Sequence, residues 1–221
     1  MEDILVFGTG DFARIAAVYF DRDSPYRVAA FVVDPEYRST DEFLGKPVID
    51  VDEAPTSHPP SDFGMFVAVG FSRVNRARQE AYDRCRAAGY ILVSYVSPRA
   101  SVWQDTITMG DNCFVFEDNV IQPFVKIGNN VILWSGNHIG HDATIGDHCF
   151  IASHAVISGN VTIGHHCFVG VNATFRDGIT VAPHCVIGAG ALVMKNTSEG
   201  DVLAVKGTEV FAKKSSELAG F

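Results

Sequence analysis

The sequence Ile139-Gly140-His141-Asp142-Ala143-Thr144-Ile145-Gly146 belongs to the stretch that decides the fold, residues 109–193, in which every sixth residue is apolar. The fifteen positions of this register are Met109, Val115, Ile121, Ile127, Leu133, Ile139, Ile145, Ile151, Ile157, Ile163, Val169, Phe175, Val181, Ile187 and Val193. An α-helix cannot present this pattern on one face, because its faces recur near 3.6 residues. The six-residue period predicts a parallel β-helix, in which each repeat buries its apolar side against its neighbours.

The composition is that of an acidic globular protein. Its 221 residues allow one large or two small domains, and a hydrophobic content of 47% is enough for a core. The net charge of −9 argues against nucleic-acid and membrane partners, because both favour basic surfaces. The acidic start and the lack of an apolar run of about 18 residues predict a cytoplasmic protein without signal peptide or membrane span. The five cysteines are then expected to stay reduced.

The first 97 residues have the pattern of a small α/β domain. A strand at 4–7 leads through Gly8-Thr9-Gly10 into a helix at about 12–20, and a second strand at 27–33 ends at Asp34. Glycines between a strand and a helix let a phosphate approach the helix N-terminus, and an acidic residue about 20 residues later can bind a ribose hydroxyl. The pattern therefore favours a nucleotide site, with a tight turn that binds nothing as the alternative.

The rest of this domain reads as strands at 47–49, 65–69 and 91–96, a proline-rich loop at 52–60 and a helix ending near Ala88, for which Ser72 is a candidate cap. The sheet is too short for a complete dinucleotide fold, which argues against a dehydrogenase. We divide the chain into an α/β domain at 1–97, a β-helix at 98–197 and a polar tail at 198–221 with a short helix near 212–218.

His141 and Asp142 lie in a polar stretch near the middle of the repeats, residues 137–142. A carboxylate beside a histidine can fix the tautomer of the ring and raise its basicity, which is the arrangement used in acyl transfer. His141 is therefore a candidate general base. The alternative is a histidine that serves only a turn or an interface.

Three features together resemble the NeuD-type sugar acyltransferases, and among them the GDP-perosamine N-acetyltransferase type. They are Gly-Thr-Gly-Asp-Phe-Ala at 8–13, the hexapeptide domain, and Gly-His-Asp-Ala-Thr-Ile-Gly at 140–146. The resemblance covers nearly the whole chain. It implies a Rossmann-like N-terminal domain, a left-handed β-helix with three repeats in each triangular coil, and a homotrimer. It also implies acetyl-CoA as the donor to a nucleotide-linked amino sugar in bacterial glycan synthesis, such as that of lipopolysaccharide, with no metal.

The resemblance also assigns roles to individual residues. His141 matches the base of the family, and Asp142 matches its acidic partner. The positions that match the nucleotide-sugar region are Gly8, Thr9, Gly10, Asp34 and Gly70. The positions assigned to the cofactor groove are Phe150, Gly159, Val171, Ala189, Lys195 and Lys206. The lysines supply positive charge near the end of the helix, and a solvated tail is the alternative for them.

Two departures from the family concern the cofactor. Some members carry a second histidine near the acetyl carbonyl, where this chain has Phe150, so the thioester oxygen needs another donor, such as a backbone N–H. Many members end the helix with Gly-x-Pro-Ala, where this chain reads Val-Lys-Gly-Thr at 205–208. The cofactor contacts of the tail are therefore left open.

Positions 18 residues apart should stack if three repeats form one coil. Cys113, Cys149, Cys167 and Cys185 recur at 36, 18 and 18 residues, which predicts a buried apolar column rather than a metal centre, because it contains no C-x-x-C pair. Asn112, Asn130, His148, His166 and His184 form a second column, which we interpret as turn residues of positive φ. A surface metal site is the alternative for those histidines. No column explains His141, whose equivalents one coil away are Pro123 and Gly159.

Other functions on this fold stay open at the level of sequence. One is O-acetylation of a sugar; acetylation of free serine is disfavoured, because it needs no α/β domain. A second is a zinc hydro-lyase, for which the candidate ligands are His138, His141, His154, His165 and His166. A third is a non-catalytic protein that binds a nucleotide sugar. A direct transfer without a covalent enzyme intermediate is expected for the enzyme, since no Ser-His or Cys-His signature is present.

Overall fold

A computed structural model describes residues 2–217, and its first half is a five-stranded sheet with helices packed against it. The strands are β1 (Glu2–Phe7), β2 (Tyr26–Val33), β3 (Glu42–Phe43), β4 (Lys46–Asp50) and β5 (Gly64–Val67). Their order is β3-β4-β2-β1-β5, and all pairs are parallel except β3 with β4. The helices are α1 (Asp11–Asp23), α2 (Ala54–Ser57) and α3 (Arg76–Ala87), with a 3-10 turn at Pro35–Tyr37.

The expected elements of this half are confirmed except in three places. The predicted loop at 52–60 contains the short helix α2, which has Pro55 as its second residue, a position in the first helical turn that accepts proline. The third helix begins at Arg76, and its N-cap position is occupied by Asn75, without a capping hydrogen bond from the side chain, rather than by Ser72. Residues 73–75 all have φ between 52° and 66°, and this left-handed run delays the start of the helix.

The predicted strand at 91–96 is divided between the two halves of the molecule. Leu92 forms an isolated bridge with Met65 of the first sheet. Tyr95–Val96 instead pairs with Phe114–Val115 of the second half, and the amide of Tyr95 donates to the carbonyl of Cys113 at 2.8 Å. The β-helix thus begins at Tyr95, three residues before the start at 98 that the sequence suggests.

The second half is the predicted parallel β-helix, built from two-residue strands on three faces. The seven-strand face contains Tyr95–Val96, Phe114–Val115, Ile132–Leu133, Phe150–Ile151, Phe168–Val169, Val186–Ile187 and Val202–Leu203. The six-strand face contains Ser101–Val102, Val120–Ile121, His138–Ile139, Val156–Ile157, Thr174–Phe175 and Leu192–Val193. The five-strand face contains Thr108–Met109, Lys126–Ile127, Thr144–Ile145, Thr162–Ile163 and Thr180–Val181. The strands therefore stack at the expected interval of three repeats, in the manner of a left-handed β-helix.

The solenoid is longer than the uninterrupted register. Val102 and Met109 are seven residues apart rather than six. Because of this single extra residue, the first two strands of the β-helix are out of register with the six-residue period that starts at Met109. Val202–Leu203 adds a last strand beyond the expected end of the domain at 197. The helix expected within 212–218 is a 3-10 turn at Ser215–Glu217, and residues 218–221 lie outside the described residues.

Both predicted side-chain columns are present. The four β-helix cysteines are buried in one apolar cluster with Val131, and burial raises the pKa of the Cys113 thiol to about 12. Cys85 is also buried, in α3. The residues of the second column all have φ between 51° and 62°, as expected for turn positions: Asn112, Asn130, His148, His166 and His184. Among the helices of residues 2–217, none is both long and apolar enough to cross a bilayer.

Aromatic rings join the α/β unit to the seven-strand face. Phe12 and Phe20 of α1 pack edge to face on Phe114, with ring centroids 5.6 and 5.7 Å apart. Asn112 adds a polar contact by accepting a hydrogen bond from the Val67 amide at 2.7 Å, at the edge of the first sheet. The two halves consequently share one apolar core.

The buried guanidinium of Arg78 in α3 also joins the α/β unit to the β-helix. Its guanidinium is fully buried and donates to the side-chain oxygen of Asn130 and to the carbonyls of Asn130, His148, Cys149 and Gly70. Burial lowers its pKa to about 10, so it stays charged at neutral pH. All of its acceptors are uncharged oxygens, which lie at a corner of the β-helix and just before α3. The arginine gives these buried oxygens the hydrogen-bond donor that they need.

We expect Arg78→Met to lower the free energy of unfolding by about 3 kcal/mol, because the buried carbonyls lose their donors. Arg76→Met is the matched control, since Arg76 lies on the same helix but is exposed, and it should change stability by less than about 0.5 kcal/mol. Urea unfolding at one fixed protein concentration measures both values. Equal stability of the two variants would contradict the structural role of Arg78.

Candidate active site

His141 stands on the corner between the six-strand and five-strand faces, and its ring is exposed. Its Nδ1 lies 2.9 Å from Oδ2 of Asp142, and its backbone amide donates to Oε1 of Gln122 at 2.8 Å. Asp142 occupies the left-handed region with φ 58°, which turns its carboxylate towards the preceding ring. With Nδ1–H donated to Asp142, the lone pair on Nε2 is free to accept a proton.

Gly159 provides the space for this ring one coil above. A Cβ at Gly159 would lie 2.7 Å from Nε2 of His141 and 3.0 Å from Oδ2 of Asp177, whose position is one coil further along the same corner. Any larger residue would therefore push against the imidazole. Gly159 was assigned to the cofactor groove by resemblance, and the structure adds that it makes room for His141.

A cavity of about 730 Å³ lies at the carboxyl ends of β1 and β2. Four of the five residues assigned to the nucleotide-sugar region line it: Gly8, Thr9, Gly10 and Asp34. The fifth, Gly70, does not line it, and its carbonyl accepts a hydrogen bond from Arg78. The cavity adjoins the N-terminus of α1, whose cap is Gly10, so free backbone N–H groups lie beside it.

The cavity also contains charged side chains that the sequence pattern did not indicate. Arg84 of α3 forms an ion pair with Asp34 at 2.6 Å, and Arg73 forms one with Glu80. Tyr37 lines the opposite side with an exposed ring. Tyr37 lies in the turn that follows Asp34 directly, whereas only tertiary structure brings the two arginines and Glu80 to Asp34, because they come from α3 and the segment before it.

The remaining cofactor positions do not gather around His141 within one chain. Phe150 is buried on the seven-strand face under Phe71, with ring centroids 5.1 Å apart. Val171 and Ala189 are exposed and follow strands of the seven-strand face, on the corner that leads to the six-strand face. Lys195 lines a cleft of about 320 Å³ at the end of the β-helix, and Lys206 is exposed in the tail.

The structure brings three other histidines together. Within residues 2–217, His165, His166 and His184 have ring nitrogens that all lie within 4.8 Å of one another. The zinc hydro-lyase alternative needs three histidines that converge across a subunit interface; of its candidates, His138, His141 and His154 are not part of this cluster within one chain. His148 faces Asn130 instead, with its Nδ1 2.9 Å from the amide nitrogen of that side chain.

Known protein families and solved structures both give matches to this chain. Residues 124–159 and 160–195 match the family model "Bacterial transferase hexapeptide (six repeats)". Comparison with curated proteins gave no match.

The solved structures include several close in fold. One is an H-to-N variant of perosamine N-acetyltransferase from Caulobacter crescentus, in complex with CoA and GDP-perosamine. It is 26% identical with a TM-score of 0.82, covering 91% of this chain and 93% of that chain. The acetyltransferase domain of PglB from Neisseria gonorrhoeae FA1090, in complex with acetyl coenzyme A, is 25% identical with a TM-score of 0.79, covering 91% and 95%. WeeI from Acinetobacter baumannii AYE, at 20% identity and a TM-score of 0.63 over 85% and 94%, shares the fold.

Proposed function

We propose that the chain is a sugar acyltransferase built on the bacterial transferase hexapeptide and that it N-acetylates a nucleotide-linked amino sugar with acetyl-CoA. The acceptor is a 3-amino or 4-amino deoxysugar of bacterial glycan synthesis in the cytoplasm. The observation that carries the proposal is the exposed pair of His141 and Asp142, held over Gly159 on a rigid corner. Perosamine N-acetyltransferase with CoA bound and the acetyltransferase domain of PglB with acetyl coenzyme A bound share this fold at 25–26% identity.

His141 acts as the general base in the proposed reaction. Nε2 removes a proton from the sugar amine as the nitrogen attacks the acetyl thioester, while Asp142 stabilises the imidazolium that forms. The tetrahedral intermediate then expels the CoA thiolate, which takes up the proton held by the His141 imidazolium, so that the amide product, CoA thiol and the neutral base remain. A backbone N–H is the expected donor to the oxyanion, since Phe150 is buried away from His141 and offers no hydrogen bond.

The α/β unit binds the nucleotide in this proposal, as a Rossmann-like domain. A cavity of about 730 Å³ falls in the size range of ligand sites, and the N-terminus of α1 favours a phosphate. Arg73 and Arg84 also line the cavity, where each is paired with a carboxylate, Glu80 and Asp34 respectively. Asp34 is held by Arg84, which orients its carboxylate beside the cavity where a ribose hydroxyl would lie.

A homotrimer completes the site in this proposal. The cavity is lined only by residues between 7 and 84, whereas His141 lies on a corner of the β-helix, so one chain supplies the two parts separately. The outward side chains of the six-strand face include exposed Val120, Val156 and Leu192, whereas those of the five-strand face are threonines and Lys126. An exposed apolar column of this kind favours packing against another subunit, which would form the CoA groove between two β-helices.

The direct test is a screen of nucleotide-linked 3- and 4-amino sugars with acetyl-CoA, in which release of CoA is measured with a thiol reagent. We expect release with at least one amino sugar and none with the matching hydroxy sugar. The hydroxy sugars also test O-acetylation. Absence of release with every acceptor would favour the alternative of a non-catalytic sugar-binding protein.

We expect His141→Asn to lower kcat by about two to four decades, because the amine then lacks its general base. The control is His154→Asn, which changes an exposed histidine of positive φ on a neighbouring turn and should leave kcat unchanged. Steady-state kinetics with saturating acetyl-CoA gives both values. An unchanged kcat in His141→Asn would remove the assignment of the base.

We expect Gly159→Ala to lower kcat at least tenfold, because its Cβ would lie 2.7 Å from the present position of Nε2 and displace the ring. The effect should act through His141, so Gly159→Ala should change kcat little when it is added to His141→Asn. A double-mutant cycle in kcat measures this coupling. Additive losses would mean that Gly159 serves the groove and not the base.

A further inference from the structure

The three clustered histidines lie on the corner between the five-strand and seven-strand faces, which α3 covers. His166 and His184 occupy equivalent positions in successive coils, and His165 precedes His166. The backbone fixes their spacing, since the amide of His184 donates to the carbonyl of His165 at 3.0 Å. This corner does not include His141, and the proposed acetyl transfer makes no use of it.

The hydrogen bonds of His166 define which nitrogen carries its proton. Nε2 lies 2.8 Å from Oε1 of Gln79 in α3, an atom that can only accept, so Nε2 is the protonated nitrogen of the neutral ring. Nδ1 therefore keeps its lone pair, and it faces Nδ1 of His165 at 2.9 Å.

We propose that His165, His166 and His184 form a binding site for one divalent transition-metal ion, with zinc as the best-suited ion. Neutral imidazole is a preferred ligand for zinc, copper and nickel, and an outer hydrogen bond donated by the other ring nitrogen, such as that of His166 to Gln79, is typical of metal-bound histidine. Ligand nitrogens at about 2.0–2.1 Å from zinc are roughly 3.4 Å apart in a tetrahedron. The present separations of up to 4.8 Å are within reach of side-chain rotation.

The surroundings fit an open rather than a closed site. His165 is exposed, which gives an ion access from solvent and leaves the fourth position to water. His166 is buried beneath it, so one ligand is held firmly by the fold. A metal here would also tie the β-helix corner to α3 through Gln79, close to Arg78 on the same helix.

The competing account is a hydrogen bond from Nδ1–H of His165 to Nδ1 of His166 without any ion. The two accounts differ in what zinc does. A metal site takes up one equivalent per chain with an affinity that depends on all three rings, whereas a simple hydrogen bond gives only weak uptake spread over surface histidines.

The experiment uses the full chain without a histidine tag, stripped with a chelator and titrated with ZnCl₂ in a calorimeter. We expect one zinc per chain, and a visible absorption band of tetrahedral Co²⁺ when cobalt replaces zinc. His184→Asn should weaken zinc binding at least tenfold and abolish the cobalt band. Gln79→Leu should weaken zinc binding about 10- to 100-fold, since His166 loses the partner that orients it.

The matched control is His154→Asn. Both His154 and His184 are turn residues of positive φ, at 60° and 62°, and asparagine tolerates that conformation. His154→Asn should bind zinc as the unaltered protein does, and circular dichroism should show the same fold in all variants. Wild-type binding no tighter than that of His184→Asn, or an equal loss in His154→Asn, would overturn the proposal. Zinc binding is measured here without acetyl transfer, so this outcome is separate from the fate of the proposed activity.

Discussion

The backbone hydrogen bonds between successive coils are the constraint on which the rest of the structure depends. Gly140, for example, donates to the carbonyl of Ile157 at 2.7 Å, and the same pairing repeats along the solenoid. Coils held this closely leave little room at the corners, where a Cβ on Gly140 would lie 2.5 Å from the amide nitrogen of Gly159. A corner position whose Cβ would meet the next coil must therefore be glycine, and a corner position of positive φ must be a residue that tolerates it. Other side chains fit at a corner only when they point into solvent. His141 is one of the side chains that point outward.

The same regularity explains which parts of the structure the sequence could predict. A coil of 18 residues converts one-dimensional spacing into vertical columns, so the buried cysteines and the left-handed asparagines and histidines followed from counting. Residue spacing did not predict the structure where the six-residue period changed, as between Val102 and Met109, or where contacts join segments distant in the sequence. Arg78 looks like any polar residue of an exposed helix, and its burial depends on carbonyls more than fifty residues away. The meeting of His165 with His184, and the covering of Phe150 by Phe71, likewise require the folded coil.

The candidate site has two parts, the His141–Asp142 pair on the repetitive β-helix and the cavity in the non-repetitive α/β unit. The candidate base pair sits on a rigid scaffold, and its geometry is set by neighbours one coil away, namely Gln122 and Gly159. The cavity is built from a short left-handed segment, a 3-10 turn and ion pairs at the ends of strands. Regular structure suits a chemical step that needs fixed geometry, whereas irregular segments can vary to suit different sugars and nucleotides. The docking of α3 connects the two parts.

The hydrogen bonds that join the halves have a consequence for biosynthesis. Asn75, fully buried, donates to the carbonyl of Cys167, 92 residues later in the chain, and Arg78 needs carbonyls at 148 and 149. The N-terminal half emerges from the ribosome well before these partners exist. Its sheet can form early, but the segment from Asn75 to Arg78 has to wait in water until the third and fourth coils have been translated. The docking of this segment onto the β-helix is therefore a late folding step, and a chain that stalled before residue 148 would leave Asn75 and Arg78 without these carbonyls.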